Sequence, residues 1–159
     1  MSQVQVAFIE KGKIPDRDAL QASVRGLGFD LEIDDFYQPH ECSGYLPCKL
    51  RGTLSGFEIC FESADESLEE FPHRKEIVGP RDNAIVFRWG GDMAECACVL
   101  IVSAALAKDF GAVIHYQDDD LVSSVEDILK EARACLADID SSPKKAAPIT
   151  RAPGLPKKP

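Results

Sequence analysis

At 159 residues and 45% hydrophobic content, the chain is long enough for one domain with a real core. Its formal net charge is −9. Lys144, Lys145, Arg151, Lys157 and Lys158 contribute +5 at the C-terminal end, so residues 1–140 carry −14. A body that acidic repels phosphate backbones, which argues against nucleic acid and leaves a basic protein partner or simple solubility as its use.

Met1 to Ile9 has no basic n-region and its apolar residues alternate, so no secretory leader is expected. No stretch reaches the roughly 20 apolar residues of a membrane span. A cytoplasmic location and no membrane partner are the resulting expectations. The six cysteines, Cys42, Cys48, Cys60, Cys96, Cys98 and Cys135, are then expected to be reduced thiols.

In chain order, Val4, Val6 and Phe8 alternate with Gln3, Gln5 and Ala7, which predicts a first strand. Pro15-Asp16 ends it and offers an N-cap. Leu20, Val24 and Leu27 then mark one face of a short helix running to about Gly28. "LEID" at Leu31 predicts a short strand. In "GYLPCKLRG" Leu46, Cys48 and Leu50 share one face, and in "TLSGFEICFES" Phe57, Ile59 and Phe61 do the same. Arg51-Gly52-Thr53 supplies the turn of this hairpin, and Pro47 places its first strand at a sheet edge. Residues 63–82 are polar, with Glu66, Glu69 and Glu70 in one helical turn. "AIVFRW" predicts the next strand, Ala94 to Phe110 a helix apolar nearly all round and therefore buried, and "AVIHY" a further strand. Ser123 with Glu126 forms a capping box for a last helix whose face is Val125, Ile128, Leu129, Ala132 and Leu136.

The order β-α-β-β-β-β-α-β-α predicts a single α+β domain over residues 1–140, with a mostly antiparallel sheet and about three helices on one face. Residues 141–159 hold five of the ten prolines and no periodic apolar residues, which predicts a disordered Pro/Lys-rich tail.

"RWGGDMAECACV" (Arg88 to Val99) concentrates the residue types of chemistry: two glycines, Asp92, Glu95, Cys96 and Cys98. Its physics is that of a helix start. Asp92 stands at the N-cap and Glu95 three residues on can reach back to the cap N–H. Both charges suit the positive end of the helix dipole. Cys96 and Cys98 lie about 200° apart around a helix and cannot chelate one ion together. His40, Cys42 and Cys48 lack the paired Cys-x-x-Cys spacing of zinc sites. His115 lies in a strand beside Tyr116, no Gly-x-Ser-x-Gly occurs and no Cys–His pair is recognisable. No catalytic residue, cofactor or metal ligand is therefore assigned.

Three acidic clusters remain as candidate partner-binding residues: Asp34 and Asp35 beside Phe36 and Tyr37; Glu66, Glu69 and Glu70; and Asp118, Asp119 and Asp120. Trp89 joins them by residue type. Aromatic side chains beside charges are typical of protein-binding hot spots, and carboxylates steer a basic partner.

"SGYLPCKLRGTLSGFEICFE", followed by "VFRWGGDMAECACVLIVSAALAKDFGAVIHYQDDD" and an amphipathic last helix, resembles small bacterial immunity proteins. The likeness is one of layout and covers roughly Gly44 to Ala137. The resemblance implies a non-catalytic cytosolic antidote that binds a toxin of interbacterial competition, of the type VI secretion or related polymorphic kind, and blocks its active site or substrate entrance. It transfers no binding residue by position. An adaptor or chaperone domain that holds a secreted effector is the alternative, and a small enzyme with an unrecognised site the third.

Overall fold

The computed structural model describes residues 2–141, which form one α+β domain. The strands are β1 (Gln3–Ile9), β2 (Leu31–Ile33), β3 (Gly44–Leu50), β4 (Thr53–Ser63), β5 (Asn83–Trp89), β6 (Val113–Tyr116) and β7 (Leu121–Ser123). They lie in the order β2-β3-β4-β5-β1-β6-β7, and each neighbouring pair is antiparallel. The helices are α1 (Arg17–Gly26), α2 (Ala64–Ser67), α3 (Lys75–Val78), α4 (Met93–Asp109) and α5 (Val125–Ser141). The expected tail lies outside the described residues, apart from Ser141, which ends α5.

The hairpin follows its alternation. Leu46, Cys48 and Leu50 of β3 and Phe57 and Ile59 of β4 are buried on the inner face, and Phe57 meets Phe87 edge to face at 5.4 Å. Such an aromatic pair adds about 0.5–1.5 kcal/mol beyond its buried area. Arg51 (φ 53°) and Gly52 (φ 82°) form the two-residue turn. Positive φ at both central positions matches the twist of the strands. Pro47 is not on an outer strand, because β2 pairs with β3. β2 ends at Ile33, however, and Pro47 faces that open side, where its carbonyl accepts from the Asp34 N–H at 3.2 Å. The missing proline N–H thus costs the ladder nothing.

The three long helices share the inner face, with α4 at the centre of the core. Its residues Ala97 to Leu106 are all buried, against the sheet on one side and α5 on another. The Asp16 side chain caps α1 from the Ala19 N–H (2.8 Å), and Asp92 caps α4 from the Ala94 N–H (2.8 Å). Glu95 does not return to its cap but accepts from the Gly90 N–H at 3.2 Å, which pins the Gly-Gly passage instead. The last helix is capped by Ser124, which accepts from the Asp127 N–H at 3.1 Å, because Ser123 belongs to β7.

The expectation of helices on one face needs an addition. β1 lies inside the sheet and is buried on both sides: Ala7 and Ile9 join the main core, while Val6 and Phe8 join a second cluster with Ala64, Leu68, Val78, Ala84 and Val86. The short α2 and α3 therefore roof the outer face over β1 and β5. The predicted turn of glutamates shortens accordingly: α2 ends at Ser67, and Glu69 and Glu70 follow it.

Candidate functional site

Where β1 and β5 are roofed on the outer face, β2, β3 and β4 are open. Two cross-strand rows define this open part. Tyr45, Glu58, Arg88 and Val4 stand side by side across β3, β4, β5 and β1, and Glu32, Lys49 and Leu54 across β2, β3 and β4. At roughly 4.8 Å per strand, the first row spans about 14 Å. Tyr45 is 50% exposed and Leu54 75% exposed, on a face that also carries the charged Glu32, Lys49, Glu58 and Arg88. Between them lies Gly56 (φ 154°), where an added Cβ would stand 2.4 Å from the Leu46 carbonyl oxygen and 2.6 Å from the Tyr45 ring. The tyrosine ring thus packs directly over the glycine, which fixes its place on the face.

Acidic residues flank these apolar ones at both ends. At the β2 end Asp34, Asp35, Arg17, Pro47 and Leu54 line a hollow of about 150 Å³. The Asp34 carboxylate accepts from the Phe36 N–H at 2.9 Å, and Phe36 is left 43% exposed. At the roofed end a groove of about 230 Å³ is lined by Glu62, Glu66, Glu69, Glu70, Arg88 and Gln117, among others. Glu66 belongs to a capping box with Ser63, and Glu62 accepts from the Ser67 hydroxyl, so both are held in place. Glu69 and Glu70 are exposed.

Comparison with family models, curated proteins and solved structures finds no match.

Several predicted binding residues have other work. Tyr37 is buried in the main core and donates its hydroxyl to the Pro15 carbonyl at 2.9 Å; burial raises its phenol pKa. Trp89 faces inward and is 5% exposed, tilted against Tyr116. Asp118 accepts from the Val4 N–H at 3.0 Å, satisfying the start of β1. Asp119 lines a separate cavity beside Trp89 and Tyr116.

Asp120 is the centre of a knot. It sits in the left-handed region (φ 51°) and accepts from His73 Nε2 (2.6 Å), His115 Nε2 (2.7 Å) and Arg74 Nε (3.0 Å). Hydrogen bonds from His115, then His73, then Arg74 hold its carboxyl well below the usual range. A carboxylate only accepts, so each facing imidazole carries its proton on Nε2. His115 is fully buried, with Phe71 edge-on at 4.7 Å, and its Nδ1 has no partner among the described residues. The arrangement ties the 72–78 segment to the β6–β7 turn. Asp118 and Asp119 are exposed and Asp120 is half-buried, so reversing all three charges together would break the Asp120 knot.

The other chemistry-bearing residues are also placed. Cys48 and Cys98 adjoin in the core, while Cys96 points toward Cys135 of α5, as the helical phase of Cys96 and Cys98 requires. His40 is exposed and lies 5.6 Å from the Phe61 ring. Among the described residues no group of three or more His, Cys, Asp or Glu is arranged to hold a metal, and no helix is long and apolar enough to cross a membrane.

The sequence reading passed over Tyr45, Leu54, Glu58 and Arg88. The available signal was an aromatic and a leucine on the polar phase of the hairpin. His73 and Arg74 gave none, because their partner lies more than forty residues away.

Proposed function

We propose that this chain is a non-catalytic protein that binds and inhibits an antibacterial toxin and thereby protects the cell that makes it. The observation that carries this reading is the open outer face: Tyr45 and Leu54 exposed toward opposite ends of the β3–β4 hairpin, with carboxylates beyond them. Apolar residues ringed by charge suit a protein partner: the aromatic anchor loses water on contact and the charged rim orients the approach. The −14 carried by residues 1–140 gives that partner a basic face. The resemblance of the sequence layout to small immunity proteins points to a toxin as its class.

Co-expression tests the proposal. The chain is produced together with a toxin encoded beside its gene, at graded levels. Protection should set in near equal amounts of the two proteins and be lost when Tyr45 and Leu54 are both changed to Ala. Export of the neighbour without protection would instead mark the chain as an adaptor.

A further inference from the structure

Cys96 of α4 and Cys135 of α5 face one another with their sulfurs 4.0 Å apart. A disulfide needs about 2.05 Å, so the two sulfurs must close by about 2 Å to form one. Neither residue is fully buried. Both line a cavity of about 410 Å³ whose walls include Trp89, Leu100 and Tyr116, and whose lining residues Met93 and Leu121 are exposed. A small solute therefore has a way in.

The second thiol pair is the internal comparison. Cys48 and Cys98 also adjoin, but they are 2% and 0% exposed and sealed between sheet and α4. Two pairs of similar chemistry thus differ in access, and access together with thiolate character decides which thiols react. Asp119, Glu131 and Asp138 also line the open cavity, so an uncharged oxidant enters more readily than an anionic disulfide.

We propose that Cys96 and Cys135 are a reversible dithiol site oxidised by peroxide. In the first step one thiolate attacks the O–O bond of hydrogen peroxide. An S–O bond forms, the O–O bond breaks, and the departing hydroxide takes a proton to become water. The attacking cysteine is now a sulfenic acid. In the second step the other thiol attacks that sulfur, the S–S bond forms, and the hydroxyl leaves as a second water. Two thiols are oxidised by one peroxide, and a dithiol reductant reverses the change. The Cys96 S–H beside it favours the Cys135 thiolate, against the opposing effects of burial and of nearby Glu131 and Asp138. The new bond ties α4 to α5 and narrows the cavity beside Trp89, the chain's one tryptophan.

The test treats the full chain with hydrogen peroxide and reads intact mass, mapped peptides and tryptophan emission. The expected result is a loss of about 2 Da, a Cys96–Cys135 cross-linked peptide, two of six thiols lost, and emission that changes and returns with dithiothreitol. Cys96→Ser and Cys135→Ser should each abolish the cross-link and leave a dimedone-reactive sulfenic acid on the remaining partner. Cys48→Ser should behave as the parent. A disulfide mapped to any other pair, or an unreacted Cys96–Cys135 pair after Cys60 has been oxidised, overturns the proposal. The peptide map of the parent chain decides the matter even if a serine variant fails to fold.

Discussion

His115 Nε2 donates to Asp120 Oδ1 at 2.7 Å while the other ring nitrogen, Nδ1, is buried with no partner among the described residues. Among the described residues the carboxylate is the single polar group that satisfies this fully buried ring. Asp120→Ala should therefore lower the melting temperature clearly, because a buried donor loses its acceptor. Asp119→Ala, one residue away, should leave it nearly unchanged. Thermal melts of the two variants side by side check this.

The same contact has a pH signature. The Asp120 carboxyl is held below its ordinary value by His115, His73 and Arg74. A depressed folded pKa means that the stabilisation is fully present above the unfolded value of about 3.9 and is lost as pH falls through the folded one. The difference in stability between the parent and Asp120→Asn should shrink as pH falls below about 4. Urea unfolding at a series of acid pH values reads it; a gap that widens below about pH 4 would remove the carboxylate from this role.

Gly56 lies under the Tyr45 ring, with the Leu46 carbonyl oxygen 2.4 Å from where a Cβ would stand. Neither backbone can yield without disturbing the β3–β4 ladder. Gly56→Ala should destabilise the fold by about 1–3 kcal/mol, the range of overpacking. Denaturant titration measures the cost, and a neutral result would mean that the two strands separate easily at this point.

Tyr37 was a binding candidate by type and is a core residue by position. Tyr37→Phe removes only its hydroxyl and the bond to the Pro15 carbonyl. Stability should fall by about 0.5–1.5 kcal/mol, while partner binding stays as in the parent. Equilibrium unfolding and a binding titration on the same preparation separate the two effects.

What could be read from the sequence was set by how each segment is buried. The β3–β4 hairpin is half buried, so its period-two pattern and its Arg51-Gly52 turn were legible, as were the all-round apolar α4 and the Asp16 and Asp92 caps. The alternation of β1 gave the strand but not its burial on both faces: Val6 and Phe8 enter one cluster, and Ala7 and Ile9 enter the main core. β7 is only Leu121–Ser123 and follows three aspartates, too short to show a period. Type alone could not separate Phe36, exposed, from Tyr37, buried beside it, nor reveal that Trp89 points inward. Asp120 read as one more acid of a candidate binding cluster, since His73, Arg74 and His115 meet it only through the fold.

In the proposed function a basic toxin face docks on the open outer sheet face, steered by its carboxylates and anchored by Tyr45 and Leu54. Stopped-flow association with the cognate toxin, over a range of salt, tests it most directly. Replacing Glu69 and Glu70 together by Lys should slow association about tenfold at low ionic strength and flatten its salt dependence, with circular dichroism unchanged. Tyr45→Ala and Leu54→Ala should leave the association rate nearly intact and speed dissociation. If the folded variants all match the parent in both rates, the partner does not bind this face, and the acidity of the body serves solubility alone.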